Sequence, residues 1–186
     1  MSVDNGAGTI TLHGRRFDVF IPHETIQSHI DEIARRINAD YGGGEDVPLF
    51  VGVLNGSFMF FAELMQRIEF PCEVSFVKLA SYEGTESSGC VRQLIGLRED
   101  ISGRRVIVVE DVVDTGCSIA YTVGLLREMR PASVDVAALL FKPASYSRDI
   151  PIRYRAMEVG NEFIVGFGLD YDGLGRNLKH IYKICE

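Results

Sequence analysis

Residues 104–129 read RRVIVVEDVVDTGCSIAYTVGLLREM. Four apolar β-formers, Val106, Ile107, Val108 and Val109, run straight into Glu110 and Asp111. Two valines follow, then Asp114-Thr115-Gly116-Cys117-Ser118 and a helical run ending near Pro131. A short continuous apolar run suits a strand buried on both faces, as in a parallel sheet. The loop and helix start after it make a βα unit, and ligands of open α/β sheets bind beyond the carboxyl ends of the strands. Thr115, Gly116, Cys117 and Ser118 bring N–H groups and hydroxyls to the positive end of the helix dipole, which favours an anion. Two vicinal acids beside them suit a pair of sugar hydroxyls or a hydrated magnesium ion. An ordinary βα unit with a solvated loop accounts for the strand and the helix. It does not account for three acids within five residues at a buried strand end.

The 186 residues are enough for one domain with a proper core, and 46% hydrophobic with 24% charged is ordinary for a globular chain. The net charge of −7 argues against a nucleic-acid surface, which is normally basic. An anion at that helix start would need local cations in so acidic a protein; Lys142, Arg176, the helix N-terminus and magnesium are the candidates. Cys72, Cys90, Cys117 and Cys185 show no CxxC spacing, so reduced thiols are expected. The start, MSVDNGAGTI, has no leader pattern and no apolar run reaches membrane-spanning length, so a cytoplasmic protein without membrane partners is expected. Walker A, complete GxGxxG, GxSxG and HExxH patterns are absent.

In chain order, residues 1–8 are small and polar, with a frayed end expected. Residues 10–20 suit one or two strands, with a turn at His13-Gly14-Arg15. Residues 22–40 form an amphipathic helix with Ile26, Ile30, Ile33 and Ile37 on one face, stopped by Gly42-Gly43-Gly44. Residues 49–54 (LFVGVL) are a second central strand, followed by a polar turn and an apolar helix over 58–68. Strands are expected over 72–79, 91–97, 134–141 and 181–184. Residues 80–89 (ASYEGTESSG) have the composition of a surface hairpin loop. No repeat or linker marks a second domain.

The segment VIVVEDVVDTGCS (106–118) resembles the phosphoribosyl pyrophosphate (PRPP) signature of the type I phosphoribosyltransferases, and the resemblance extends from residue 10 to 184. It is closest to the bacterial hypoxanthine-guanine branch. It implies an α/β fold: a central parallel β-sheet flanked by helices, a small hood subdomain and a flexible β-loop. One domain would span 1–186, with the hood built from the N-terminal segment and roughly 150–186, and the loop at roughly 80–92. It implies purine salvage: the 5-phosphoribosyl group of PRPP passes to hypoxanthine or guanine, giving IMP or GMP and pyrophosphate, with Mg2+. A homodimer or homotetramer is implied, with no nucleic-acid partner. A regulatory PRPP-binding protein of this fold, or a xanthine-preferring transferase, is the competing expectation.

The same resemblance assigns residues. Asp114 would be the acid/base group. Glu110, Asp111, Asp114, Thr115, Gly116, Cys117 and Ser118 would hold the ribose and 5′-phosphate. Asn55, Gly56, Ser81, Tyr82 and Arg176 would meet pyrophosphate, on the segments LNGSF (54–58), Ser81-Tyr82 and DGLGRNL (172–178). Some relatives carry lysine where Asn55 stands, and the first peptide of that loop is often cis. In LLFKP (139–143), Lys142 would donate to the purine 6-oxo group; the alternative is a surface lysine with a buried stem. In FIVGFGLDY (163–171), Phe163 would stack on the base, Ile164 would meet its edge by backbone, and Asp170 would lie near the purine 2-position or the metal. Phe163 also reads as a core aromatic. Glu110, Asp111 and Asp170 would organise the metal.

Overall fold

The computed structural model describes residues 2–3, 8–44, 46–81 and 91–185. Its centre is a six-stranded sheet in the order β6-β5-β4-β7-β8-β9. These strands are β4 (Leu49–Leu54), β5 (Glu73–Ser81), β6 (Val91–Ile95), β7 (Arg105–Val113), β8 (Ser133–Phe141) and β9 (Tyr154–Glu158). All neighbours are parallel except β5 and β6. The apolar run read from the sequence is the reason: Val106 to Val109 are 0% exposed, because both sheet faces are covered. Ile107 and Val109 pack with α1 (His23–Tyr41) and α2 (Phe58–Met65) on one face. Val106 and Val108 pack with α3 (Cys117–Glu128) on the other. The isoleucine face of α1 is buried as its spacing requires.

A second sheet is wholly antiparallel, in the order β1-β2-β3-β11-β10. It comprises β1 (Ser2–Val3), β2 (Thr9–Leu12), β3 (Arg15–Ile21), β10 (Ile164–Val165) and β11 (Ile181–Ile184). Residues 2–3 therefore pair with Thr11 and Ile10, where a frayed end was expected. Phe17, Leu12, Val165, Leu178 and Tyr182 form its small core. The segment from 166 onward, which alternates in sequence, stops being a strand at once. Gly166 and Gly168 take φ of 104° and 100°, and the chain turns back on itself there. The first His23 N–H of α1 donates to Nδ1 of His180 at 2.9 Å, so an imidazole just before β11 caps the helix. The α2 helix ends at Met65, short of the expected 68. Among the described residues no helix is long and apolar enough to cross a membrane. Tyr82 lies outside the described residues, and Ser81 is described only as the end of β5.

Candidate functional site

The carboxyl end of β7 opens into a cleft of about 260 Å³ lined continuously by residues from Glu110 to Ile119. Gly116 sits at the start of α3 with φ of 83°, a left-handed turn that swings the chain from strand to helix. A side chain there would also run into the ring of Tyr146. The Cys117 N–H faces Thr115 Oγ1 at 3.5 Å, and Ser118 stands in the first turn of the helix. This is a row of N–H groups around a concave turn, suited to an anion.

Glu110 is 7% exposed and its Oε2 has no hydrogen-bond partner. Burial holds its pKa well above the carboxylate range, and the neighbouring Asp111 pushes in the same direction. Burial also raises Asp111, to about 6, against the opposing pull of the Val112 N–H, which donates to its Oδ1 at 2.8 Å. Two acids at the end of a buried strand therefore lie without a cation of their own. Opposite them, the Leu54–Asn55 peptide is cis. A β-carbon on Gly56 would overlap the Asp111 carboxylate, and one on Gly168 would overlap the Gly56 carbonyl. Three loops thus approach to backbone distance, and glycine is what allows it. Ser57 anchors its turn by donating from Oγ to the Val53 carbonyl at 2.6 Å.

Lys142 Nζ lies 3.1 Å from Asp114 Oδ2 and donates to the Glu162 carbonyl at 3.3 Å. Its side chain is only 11% exposed, so it is not a surface lysine. It ties the end of β7 to the segment that carries Phe163. Phe163 is 46% exposed and edges onto Tyr171, with ring centroids 5.4 Å apart, so it is not a core aromatic either. Ile164 lies in β10, the outermost strand on its side of the small sheet, with one backbone edge unpaired by any strand. Asp170 is tied on both oxygens, to Arg176 Nη2 at 2.5 Å and to the Gly173 N–H at 2.8 Å. Arg176 also donates to the Gly168 carbonyl at 2.7 Å. Among the described residues no three His, Cys, Asp or Glu side chains gather as a metal cluster.

The phosphoribosyl transferase domain family matches residues 22–172. The chain belongs to the phosphoribosyltransferase family. It is 41% identical over 169 residues to a hypoxanthine-guanine phosphoribosyltransferase of Streptococcus agalactiae, covering 90% of this chain and 93% of that one. The crystal structure of a hypoxanthine-guanine phosphoribosyltransferase from Bacillus anthracis, with a HEPES molecule in its active site, superimposes with a TM-score of 0.84 at 32% identity. The match covers 90% of this chain and 98% of that one. The bifunctional TilS/HprT protein of Listeria monocytogenes is 37% identical over 95% of this chain, which spans 27% of that protein's length. The fold is the type I phosphoribosyltransferase fold.

Within this phosphoribosyltransferase two contributors were not legible in the sequence. Tyr146 covers Gly116 from behind, and Arg148 donates from Nη2 to Cys117 Sγ at 3.0 Å. Both come from the loop after Lys142-Pro143. A tyrosine and an arginine in an irregular polar loop carry no local signal for such roles.

Proposed function

We propose that this chain transfers the 5-phosphoribosyl group of PRPP to a 6-oxopurine, hypoxanthine or guanine, releasing pyrophosphate and the nucleoside 5′-monophosphate. The observation that carries the reading is the bridge made by Lys142 between Asp114 and Glu162. It puts a proton-handling acid, a fixed cationic donor and an exposed aromatic ring at one place.

In this reading the 5′-phosphate binds at residues 114–118 and the ribose hydroxyls at Glu110 and Asp111. Phe163 stacks on the purine, the Ile164 backbone meets its edge and Lys142 donates to the 6-oxo group. An amino group at that position presents a donor to a donor, which disfavours adenine. Asp114 exchanges a proton with N7 of the base as the other nitrogen of the same ring forms its bond to the sugar. Pyrophosphate departs toward the backbone of Asn55 and Gly56, with Ser81, Tyr82 and Arg176 as further contacts. Asp170 stays near the purine 2-position and holds Arg176 until a ligand competes for it. The small antiparallel sheet is the hood over the base.

Magnesium, held near Glu110 and Asp111 through water, would supply positive charge to offset that of the departing pyrophosphate. The buried, unpartnered Glu110 Oε2 and the raised Asp111 carboxyl fit a hydrated ion. With both Asp170 oxygens tied, that residue contributes through its charge and through water. A homodimer or homotetramer in the cytoplasm completes the reading. Phe58, Val74 and Phe76 are 42%, 51% and 37% exposed, and Phe76 packs on Phe61 beside them, which supplies an apolar face for a second copy.

The test is pyrophosphate release from PRPP and magnesium with hypoxanthine, guanine, xanthine and adenine offered separately. Turnover with hypoxanthine and none with adenine supports the reading. Preference for xanthine reassigns the base. PRPP binding without turnover on any base replaces the enzyme with a PRPP-binding regulator.

A further inference from the structure

Arg148 has no part in the roles assigned above. It is exposed, yet it is held in one place. Its Nη2 donates to Cys117 Sγ at 3.0 Å, and its Cγ lies against Gly116. The loop carrying it is fixed by the Tyr146 hydroxyl, which donates to the Ile150 carbonyl at 2.5 Å, and by the Ser147 N–H, which donates to the Thr115 carbonyl at 3.4 Å. A guanidinium thus stands beside the first residue of α3, next to the turn that forms the anion cradle.

Lys142 and Arg176 are already engaged by carboxylates, Lys142 by Asp114 and Arg176 by Asp170. Among the described residues Arg148 makes no ion pair with a carboxylate; its partner is a sulfur. The Thr115 hydroxyl and then Arg148 lower the Cys117 thiol below its usual range, as a nearby donor and cation should. A guanidinium has five N–H donors, and a thiol engages them weakly. A phosphate oxygen is a far stronger acceptor and accepts a fork of two. Asp114 lines the same cleft, and its negative charge opposes a dianion there.

We propose that Arg148 is a phosphate-binding residue of this chain, its guanidinium passing from Cys117 Sγ to the 5′-phosphate when a nucleotide or PRPP fills the cradle. This rests on the reading of residues 114–118 as the 5′-phosphate site. It makes Arg148 the residue that separates a 5′-phosphate from a neutral 5′-hydroxyl. It also makes Cys117 a reporter of occupancy, since a bound phosphate both covers the sulfur and withdraws its cation.

The experiment is calorimetric binding of IMP and of inosine to wild type, Arg148→Ala and Arg148→Lys, with PRPP kinetics on each. Arg148→Ala should weaken IMP by about ten- to a hundredfold and leave inosine unchanged. Arg148→Lys should recover part of the loss, and KM for PRPP should rise more than kcat falls. Equal losses for IMP and inosine would mark Arg148 as structural and overturn the proposal; so would no loss for either. If wild type itself does not prefer IMP over inosine, the cradle reading fails first and the proposal falls with it. A second readout needs no variant: saturating IMP should slow iodoacetamide alkylation of Cys117 in wild type, and an unchanged rate overturns the proposal.

Discussion

Lys142 Nζ sits 3.1 Å from Asp114 Oδ2, and the lysine side chain is about fourfold less exposed than its partner, 11% against 46%. The cation is therefore the fixed member of the pair and the acid the member that faces the cleft. Removing the lysine leaves the acid in place but without its bridge to Glu162. Lys142→Ala should lower kcat/KM for hypoxanthine by about a hundredfold, the worth of one charge-assisted hydrogen bond. It should also narrow the preference for hypoxanthine over adenine. Steady-state kinetics with both bases checks this, and an unchanged base ratio would count against a lysine contact to the 6-oxo group.

Asp114→Asn keeps the size and one acceptor but cannot take a proton. Turnover should fall by roughly 10²- to 10⁴-fold, with KM for PRPP shifted only a few-fold. Comparable, small changes in both constants would remove Asp114 from the proton-transfer role.

Gly168 and Gly173 both have positive φ, 100° and 82°, but a β-carbon at Gly168 overlaps the Gly56 carbonyl whereas one at Gly173 meets open space. Gly173→Ala should cost only its backbone strain, about 1 kcal/mol. Gly168→Ala should cost more, about 2–4 kcal/mol, and should also lower activity by separating the loops that face the pyrophosphate site. Urea midpoints of the two variants, measured side by side, decide it.

Glu110 is buried with one unpartnered oxygen beside another acid. Without ligand or metal, Glu110→Gln should raise stability, by about 1 kcal/mol, because it removes a carboxyl whose raised pKa costs stability at neutral pH. The same change should weaken catalysis. Denaturation in the presence of a chelator is the measurement, and a destabilised variant would mean the orphaned carboxylate has a partner in solution.

His180 accepts the His23 N–H, which an imidazolium cannot do. Burial, followed by Lys179, lowers its pKa; Glu24 opposes and His23 adds to the lowering. With a folded pKa below the unfolded value near 6.5, its contribution to stability is complete above about pH 6.5. That contribution is lost as pH falls through the lower folded value. His180→Asn should keep an acceptor without titrating and so flatten the melting temperature between about pH 5 and 7. Glu24, also lowered, acts at more acid pH. An equal slope in the variant would exclude the cap as its source.

The parallel core was legible because burial on both faces leaves an uninterrupted apolar signature, as at Val106 to Val109 and in LFVGVL. The acids and the helix start after β7 were legible for the same reason: their contrast with the strand is abrupt. The path of the run 163–171 was not legible. Its alternation mimics a strand, but glycines at 166 and 168 with positive φ turn it into a folded loop that meets Gly56. Tyr146 and Arg148 were invisible because their role is fixed by where a polar loop packs, and no periodicity encodes that. The Asp170–Arg176 pair was equally hidden. Both residues were singled out, but six positions of sequence separation do not say that they neutralise one another.

The small sheet braids segments from both halves of the chain, with β3 lying directly beside β11. Every strand of the large sheet has been synthesised once residue 158 is made, so the turn of residues 114–118 already has its neighbours. The wall carrying Phe163 does not, because its neighbour, residues 181–184, does not yet exist. Synthesis therefore delivers the β7 strand end and the start of α3 before the small sheet can close, and a chain that stops between those points would lack the pairing that holds the segment of Phe163.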